Sequence, residues 1–599
     1  MRTTQILILF LGLTSLLSAQ KEDFQWYFNF TSVDDVSSIS RPELRNASIL
    51  DFNSNPPVFF QQIDATLDMD WTHASICDSK GELLLYSNGM SIHGPNHTPI
   101  AGGEKISFGP RWNNNTWPNE DGDLKPTGFL GTDCAVFVPK PGDDNRIYHI
   151  YYNFDDFELD GHFRKLYAEI DIIDPGNPQI VSKDNEFLKT TNPSSSSSAQ
   201  HANGRDWWLL QFSRDTLFSF LVDTSGINLH HTTKLPFIMD DGQSTSVFSD
   251  DGSKYAVHGI AESNSPNGLI LTIFDFDRCS GDLSNTLRDT LSSENIFGTP
   301  GSAFSASGQY LYLNDELHCW QYDLWSDDIL ESRDTVMVYN GQSFYEPSEN
   351  IKMMSTFGLM RKGPDNKIYI SQPAQGYHLH IIHNPDESAA YSNPEQSAIR
   401  LPTYHSGTIP THNTLRLGPI DGSSCDTLGL DNNPVSRFRY EQYTLDFKDF
   451  SFVDLSYFEP TRWEWDFGDG SSSIEPSPFH AYDENGIYEV CLTVSNENSS
   501  DISCDTLFLG VTSLDNQTED RHITLFPNPV ETVTRVAIHD YLPQAAVMRI
   551  YNQSGQLVQT ATLTGVTTTV DMSALTSGVY VYEVWDGEKR LSGGKVFKM

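Results

Sequence analysis

The residues of this sequence with the most obvious capacity for chemistry are two aspartates in a tight turn. Asp466 and Asp469 lie in "RWEWDFGDGSSS", where aromatic and acidic residues alternate before a Gly-Asp-Gly turn. Calcium takes about six to eight oxygen ligands, and two carboxylates with neighbouring carbonyl groups supply only part of that set. The spacing also differs from that of an EF-hand loop. We therefore predict a structural turn, with calcium binding as the alternative and no other cofactor.

A second group of candidates is the run of histidines in "GYHLHIIHNP". In an extended strand His378 and His380 point to one face and His383 points to the other. Two histidines without an adjacent carboxylate are a weak zinc signature, because zinc sites use about three or four protein ligands. We predict packing or surface roles for all three and assign no metal ligand among them.

The stretch "HANGRDWW" holds His201, Arg205 and Asp206, which could serve a functional loop or fix a turn by hydrogen bonds. The sequence has no GxSxG, HExxH, P-loop or GxGxxG signature. A site assembled from distant loops would leave no local signature, so an enzyme stays open as the alternative. We predict no catalytic residue.

Charge and composition limit the classes of partner. The 599 residues carry 38 Lys and Arg against 80 Asp and Glu, a formal net charge of −42 at pH 7. Such a charge repels nucleic acids and anionic membrane surfaces, so we predict neither as a partner. A chain of this length needs more than one core, and short aromatic and β-branched runs between turn residues indicate an all-β fold.

The first residues, "MRTTQILILFLGLTSLLSAQ", predict export. One arginine precedes an apolar run that is too short to span a bilayer but suits a signal peptide. We predict that residues 1–19 are removed and that no membrane span remains. The 7 cysteines include no CxxC pair and fit an oxidising compartment.

Six stretches share one pattern: an apolar strand, a tight turn and a second apolar strand. The turns recur at intervals of about 57 residues, which suits four-stranded blades arranged in a β-propeller. The early strands "FQWYFNF", "SILDF" and "PVFFQQI", combined with "NTLRLGPI", would supply one more blade. We predict seven blades, with six as the alternative. The predicted turn residues are Gly81, Asn145, Gly204, Gly252, Gly308 and Asn366.

Two regions after the repeats alternate apolar and polar residues as half-buried strands do. In the first, Trp463, Trp465 and Phe467 share a strand face, and "HAYDENGIYEVCLTVSN" supplies a second apolar face, so a small sandwich is predicted. Cys491 and Cys504 lie on the solvent side of a hairpin there and are our disulfide candidate. The second region, residues 523–599, alternates in the same way and predicts another small sandwich.

Three resemblances add to this interpretation. The set "KGELLLYSNG", "VFVPKPGDDNRIYHIYY", "HANGRDWW" and "RKGPDNKIYIS" resembles secreted propeller proteins of Bacteroidota, which implies a fold and a setting but no known activity. "WEWDFGDG" with "HAYDENGIYEVCLTV" resembles the PKD module, an Ig-like sandwich. That resemblance implies that Trp465 and Phe467 fill the core while Gly468, Asp469 and Gly470 make the turn.

The tail resembles the type A C-terminal sorting domain of type IX secretion (Por secretion system). The resemblance rests on "FPNP", "LTSGVYVYEV" and the terminal "KVFKM". It implies passage through the periplasm, the secretion machinery as a partner, and release or attachment at the outer cell surface. The motif residues are Pro527, Asn528, Pro529, Gly578, Tyr580, Lys595 and Lys598.

These observations predict an all-β, exported binding or adhesion protein without catalytic activity. The propeller would recognise an extracellular glycan or protein, and the PKD module would be a spacer or accessory binding module. The alternative is an extracellular hydrolase or lyase that acts on a polysaccharide or lactone through the propeller. The predicted boundaries are a signal peptide at 1–19, propeller 22–420, linker 421–433, PKD 434–511, linker 512–521 and sorting domain 522–599.

Overall fold

The structure is a computed structural model of the whole chain. It describes residues 21–29, 47–62, 67–69, 72–107, 116–118, 124–126, 128, 131–153, 162–191, 194–235, 238–261, 268–292, 300–346, 351–373, 376–414, 416–442, 448–509, 523–526, 530, 532–538, 546–552, 557–563, 567–576, 578–586 and 589–598. Throughout these residues the regular elements are strands, which confirms the all-β prediction.

Seven antiparallel sheets follow one another along the described part of the first 405 residues, and we number them blades 1 to 7. Blade 1 consists of β1 (Gln25–Phe28), β2 (Ala47–Asp51) and β3 (Val58–Gln62). Blade 2 consists of β4 (Ala74–Cys77), β5 (Leu83–Ser87) and β6 (Ile92–His93). A separate hairpin follows, formed by β7 (Thr116–Pro118) and β8 (Leu124–Pro126).

The next four blades have four strands each. Blade 3 is β9 (Val136–Pro139), β10 (Arg146–Asn153), β11 (Phe163–Asp171) and β12 (Gln179–Thr190). Blade 4 is β13 (Ser196–Gln200), β14 (Trp207–Ser213), β15 (Thr216–Asp223) and β16 (Gly226–Lys234). Blade 5 is β17 (Met239–Phe248), β18 (Lys254–Ala261), β19 (Gly268–Phe276) and β20 (Leu283–Ser292). Blade 6 is β21 (Ser302–Phe304), β22 (Tyr310–Asn314), β23 (His318–Asp323) and β24 (Asp334–Val338).

A second separate hairpin comes before the last blade. Its strands are β25 (Ser343–Glu346) and β26 (Ile351–Met354). Blade 7 is β27 (Met360–Lys362), β28 (Ile368–Ile370), β29 (Gly376–Ile382) and β30 (Pro394–His405).

The blades close into a ring because each pair of neighbours shares a hydrophobic layer. Adjacent residues of a strand face opposite sides of a sheet. Trp207 therefore packs in the layer between blades 3 and 4, while Trp208 packs between blades 4 and 5. The other blades repeat this arrangement, and Trp26 of blade 1 packs against Tyr369 and Leu379 of blade 7. The protein thus contains a seven-bladed β-propeller.

The predicted hairpin turns all join the first two described strands of blades 2 to 7. Five of the six predicted turn residues have positive φ, namely Gly81, Gly204, Gly252, Gly308 and Asn366. In blade 3 the positive φ of 76° belongs to Gly142, not to Asn145. The "PGDD" sequence offers a glycine earlier in the turn, and a glycine adopts this conformation with the least steric cost.

Residues 436–442 and 448–509 form a sandwich of two sheets. One sheet has the order β31 (Phe438–Gln442), β32 (Asp449–Asp454), β35 (Phe479–Ala481). The other has the order β34 (Ser472–Ser473), β33 (Arg462–Asp466), β36 (Gly486–Ser495), β37 (Ser500–Leu509). Trp465, Phe467, Val490, Leu492 and Val494 are buried between the sheets, on the two faces that the alternation predicts.

The tail forms a second sandwich. One sheet has the order β38 (Ile523–Phe526), β39 (Val533–Ile538), β42 (Thr567–Asp571). The other has the order β41 (Leu557–Leu563), β40 (Ala546–Tyr551), β43 (Gly578–Asp586), β44 (Lys589–Lys598). Its core includes Val536, Met548, Ile550 and Val584.

Candidate functional site

A propeller offers two surfaces and a central channel for function. We call the surface that carries the first hairpin turns of blades 2 to 7, such as the Gly204 turn, the turn face. The opposite surface, where β4 and β13 begin, is the loop face. It carries the connections between successive blades.

The described residues 406–414 and 416–420, which we call the strap, run through the central channel of the ring. At the loop face the hydroxyl groups of Ser406 and Thr408 donate hydrogen bonds to the Met69 carbonyl. At the turn face Pro419 lies against Gly204, and the Ile420 amide donates to the Ala202 carbonyl at 2.9 Å. The strap therefore passes from one face of the ring to the other.

In the middle of the channel the strap bonds to inner strands of three blades. The Thr411 amide donates to the His73 carbonyl at 2.8 Å, next to β4, and the Thr414 amide donates to Ser198 of β13 at 2.9 Å. The Asn413 side chain donates to the Phe137 carbonyl of β9 at 2.5 Å. Only a segment near the ring axis contacts blades 2, 3 and 4 together, so the strap fills the channel.

One ion pair crosses the same channel. Arg361 of blade 7 pairs with Asp133, which precedes blade 3, and Thr411 of the strap donates to the same carboxylate oxygen at 2.8 Å. Beside them, burial holds the pKa of His73 well below its ordinary value, so this histidine is neutral. The channel core therefore joins strap and ring through polar contacts that are shielded from water.

At the turn face Arg416 of the strap, which is partly buried, forms an ion pair with the buried Asp23, two residues before β1. Arg416 bonds Asp23 at 2.6 Å. Burial alone would raise the pKa of Asp23, but Arg416, His412 and Arg437 outweigh it and hold that pKa below its ordinary value. Arg437 of the following sandwich stacks 4.2 Å from the Phe24 ring centroid.

The first sandwich docks on the turn face through its N-terminal strand. Arg437 donates to the Pro364 carbonyl and Arg439 to the Asp365 carbonyl, each at 2.9 Å. Glu441 pairs with Lys367 of blade 7 at 2.6 Å and with Arg439 at 2.5 Å. Tyr457 and Phe458 of the same sandwich lie against Arg416 and Gly418 of the strap, so the sandwich covers the turn-face end of the channel.

The opening aspartates are engaged within their own turn. Asp466 accepts the Gly468 amide at 2.9 Å, and one Asp469 oxygen accepts the Ser471 amide at 2.9 Å. The other Asp469 oxygen lies 2.8 Å from His480 Nε2. Gly468 has φ 77°, and a Cβ there would lie 2.6 Å from the Glu489 carbonyl oxygen, so the turn requires glycine at this position.

Calcium should therefore change this module very little. We expect millimolar calcium to shift the thermal midpoint of the isolated sandwich, residues 430–515, by less than about 2 °C. A bound ion at a hundredfold excess over its Kd would stabilise it by about 2.7 kcal/mol, or on the order of 10 °C. Asp469→Ala should destabilise the module equally with and without calcium. A calcium shift that disappears in Asp469→Ala would show that the turn is a metal site.

The cysteines divide into surface disulfides and buried thiols. The predicted partners Cys491 and Cys504 form a disulfide across β36 and β37. A second disulfide joins Cys279, in the turn between β19 and β20, to Cys425 beyond the strap. Cys77, Cys134 and Cys319 are buried free thiols, and burial raises the pKa of Cys134 to about 12.

Two histidines of "GYHLHIIHNP" are hydrogen-bonded to neighbouring protein groups. His380 is buried, with its two ring nitrogens bonded to the Thr356 carbonyl and the Ser397 amide. His383 lies 3.1 Å from Glu395, on the other face of the strand. Among the described residues no cluster of three or more His, Cys, Asp or Glu side chains could hold a metal ion.

The "HANGRDWW" residues form a hydrogen-bonded turn. Asn203 donates from its backbone to His201 and from its side chain to Asp206, and Asp206 also pairs with Arg205 at 2.7 Å. His201 Nε2 lies 3.1 Å from the Cys279 carbonyl oxygen. These contacts fix the turn beside the strap exit.

A lysine–serine pair inside the ring has the composition of a nucleophile and its base. Lys165 Nζ donates to Ser196 Oγ at 2.6 Å, and burial lowers the pKa of Lys165 to about 7. Lys165 is 0% exposed and Ser196 is 1% exposed, and Lys165 Nζ also donates to the Cys134 carbonyl at 2.8 Å. A substrate has no access to this pair, so we interpret it as a packing contact.

The depressed pKa of Lys165 predicts a rise of stability with pH. Between about pH 7 and the ordinary lysine pKa, the unfolded chain binds the proton that the folded chain has released, so folding is favoured as pH rises. The expected slope is about 1.4 kcal/mol per pH unit. Thermal midpoints from pH 7 to 9 should show this slope reduced in Lys165→Met and retained in Lys80→Met, an exposed control. Equal slopes in both variants would contradict the assignment.

The sorting-motif residues are only partly within the described structure. Pro527, Asn528 and Pro529 lie outside the described residues, while Gly578 begins β43 and Tyr580 is buried in the tail core. Lys595 and Lys598 lie in β44, opposite Val581 and Gly578 respectively. Their role in sorting stays a prediction.

Sequence comparison with known families assigns the two sandwiches that follow the propeller. Residues 441–511 match the PKD domain, and residues 524–597 match the secretion system C-terminal sorting domain. The chain contains both domains. The sorting domain supports export by type IX secretion to the cell surface or beyond, with the type IX machinery as a partner. No curated protein matches the chain in sequence.

Several solved structures are similar to parts of the chain. The PKD1 domain of the Vibrio cholerae metalloprotease PrtV is 29% identical over 13% of this chain and 95% of its own, with a TM-score of 0.12. Kuenenia stuttgartiensis hydrazine synthase is 11% identical over 55% of this chain and 86% of its own, with a TM-score of 0.30. A functionally unknown protein from Desulfotomaculum acetoxidans is 11% identical over 65% and 99%, with a TM-score of 0.32.

Sequence reasoning did not find the residues that organise the channel. The sequence predicts that "NTLRLGPI" adds a strand to the closing blade, but blade 1 is formed by β1 to β3 and the described part of this segment belongs to the strap. The sequence signal that could have indicated this role is Arg416, a cation placed between two leucines in that segment. The sequence does not indicate which cysteine pairs with Cys425, because its partner Cys279 lies 146 residues earlier.

Proposed function

We propose that this protein is an exported recognition protein whose propeller binds an extracellular glycan or protein through its loop face. The observation that carries the proposal is the strap. It fills the channel with the protein's own side chains, and the docked sandwich covers its other end. In the part of the chain that the structure describes, the loop face is then the propeller surface that the sandwich leaves uncovered.

The connections on the loop face support this assignment. The end of β1 lies at the loop face, where the Met69 amide donates to the Asn29 carbonyl at 3.3 Å, and the segments between β1 and β2 and between β6 and β9 are among the longest in the propeller. The second contains Trp112 and Trp117 with Asp121 and Asp123. Aromatic side chains provide large contact areas with a polar rim, as recognition surfaces require.

The docked PKD domain fits an accessory module better than a free spacer. Its Arg437, Arg439 and Glu441 contacts fix it against blade 7. A partner bound at the loop face would therefore meet a propeller whose opposite face is held by the sandwich. We further propose a signal peptide at residues 1–19, an origin in Bacteroidota, no nucleic-acid partner, and the domain boundaries predicted from the sequence.

Binding arrays test this function. The purified chain without its sorting domain should bind a defined set of glycans or proteins, and substitution of Trp112 and Trp117 by alanine should weaken binding at least tenfold. The matched control is substitution of Trp325, a tryptophan in the connection between β23 and β24 of blade 6 that is 68% exposed. This substitution should leave binding unchanged. Turnover of a polysaccharide or lactone, without binding to any array, would favour the hydrolase or lyase alternative.

The sorting domain makes a separate prediction about location. Deleting residues 523–599 should leave the protein folded in the periplasm, because the rest of the chain has its own cores. Cell fractionation with protease protection measures this outcome. A chain truncated at residue 522 that still reaches the cell surface would contradict the assignment.

A further inference from the structure

The end of the strap is held by two blades and a covalent bond. Arg278, one residue before Cys279, donates to the Gln200 carbonyl at 3.0 Å and to the Gly418 carbonyl of the strap at 2.5 Å. Leu417 packs in the hydrophobic layer between blades 4 and 5. Five residues beyond Ile420, the last residue of the strap, Cys425 is bonded to Cys279 itself, so the disulfide joins the exit of the strap to the ring.

The same few residues reach the PKD domain. The Asp421 carboxylate accepts the Asn432 amide at 3.2 Å and the Asn498 side chain at 2.5 Å. The Asn496 side chain donates to the Asn432 carbonyl at 2.5 Å. The position of the strap exit is therefore shared by the ring, the linker and the hairpin between β36 and β37.

We propose that residues 406–425 act as a latch, and that formation of the Cys279–Cys425 disulfide holds the strap in the channel and the PKD domain on the turn face. The ring can open only if its axial segment leaves the channel. The disulfide opposes that movement, because it keeps the exit of the segment beside blade 5. The closed form is then completed only in oxidising surroundings, after export.

The chemistry of the seven cysteines suits this role. Forming the bond removes one proton and one electron from each thiol, and an external disulfide, of a protein or a small thiol, accepts them and becomes two thiols. Cys279 and Cys425 are partly exposed and accessible to such an oxidant. Cys77, Cys134 and Cys319 are buried, so they do not compete for the pairing.

Trypsin tests the latch directly, because Arg416 is a cleavage site that is protected only while the strap is in the channel. In the full mature chain, Cys425→Ser should raise the rate of cleavage after Arg416 roughly tenfold or more, since cleavage follows the population of the open form. Cys279→Ser should do the same. The matched control, Cys491→Ser with Cys504→Ser, removes the other disulfide and should leave that rate unchanged.

Reduction of the folded wild-type protein by a small dithiol gives a second measurement if the variants fail to fold. It should increase cleavage after Arg416 to the same extent, and reoxidation by a small disulfide should restore protection. Unchanged cleavage in both the variants and the reduced protein would overturn the latch and leave the disulfide as a surface link. Neither result depends on what the loop face binds.

Discussion

Arg416→Ala should cost the protein about 3–5 kcal/mol of stability, because it leaves the Asp23 carboxylate buried without its partner. Asp23 bonds Arg416 at 2.6 Å, and the pair joins the strap to the first strand of the ring. The loss should appear as a lower thermal midpoint and faster proteolysis of the propeller. Lys80→Ala, at an exposed position on the same face, is the control and should have little effect.

The pH dependence should separate this ion pair from simple loss of packing. In the wild type the pKa of Asp23 lies below its ordinary value, so its contribution is present at neutral pH and is lost as the pH falls through that lowered pKa. In Arg416→Ala the buried carboxylate is a penalty that protonation removes, so the deficit should shrink toward acid pH. Adding Asp23→Asn to Arg416→Ala should recover part of the loss at neutral pH. No recovery and a constant deficit from pH 5 to 8 would contradict the pairing.

Trp465→Ala should destabilise the PKD sandwich by about 3–5 kcal/mol, since it removes a fully buried aromatic ring and leaves a cavity. Trp465 is 1% exposed and packs against Phe438, Phe452 and Phe467, and its indole donates to the Glu475 carbonyl at 2.9 Å. Thermal or urea unfolding of the isolated sandwich measures the effect.

Trp463 supplies a control from the same strand. Its ring is only partly buried, and its indole donates to Asp454 at 2.7 Å. Trp463→Ala should therefore cost clearly less than Trp465→Ala. Trp463 shares the core face with Trp465 but lies at its margin, so equal losses for the two tryptophans would contradict the deeper burial of Trp465.

Much of the fold was predictable because its signals are local. Period-two alternation assigns Trp465 and Phe467 to one face, and the Gly-containing turns mark the blades. The count of seven also follows from the sequence once "FQWYFNF", "SILDF" and "PVFFQQI" are taken as strands of one sheet. Each of these inferences needs only a few neighbouring residues.

The organisation of the channel was not predictable because it depends on contacts between distant residues. Asp133 meets Arg361 after 228 residues, and Asp23 meets Arg416 after 393. No short pattern encodes such pairs. The contact between Asp469 and His480 is intermediate in how far it could be predicted from the sequence. The two residues are only 11 apart, but they belong to different sheets.

Hydrogen exchange at the strap tests the central claim most directly. The Thr411 and Thr414 amides bond to inner-strand carbonyls at 2.8 and 2.9 Å within the ring, so they should exchange as slowly as amides of the blade cores. Leu428, Gly429 and Leu430 in the exposed linker are the internal reference and should exchange rapidly. Slow exchange at Thr411 and Thr414 would support a channel filled by the protein's own chain. Exchange as fast as at Leu428 and Leu430 would contradict it and return the channel to the candidate binding sites.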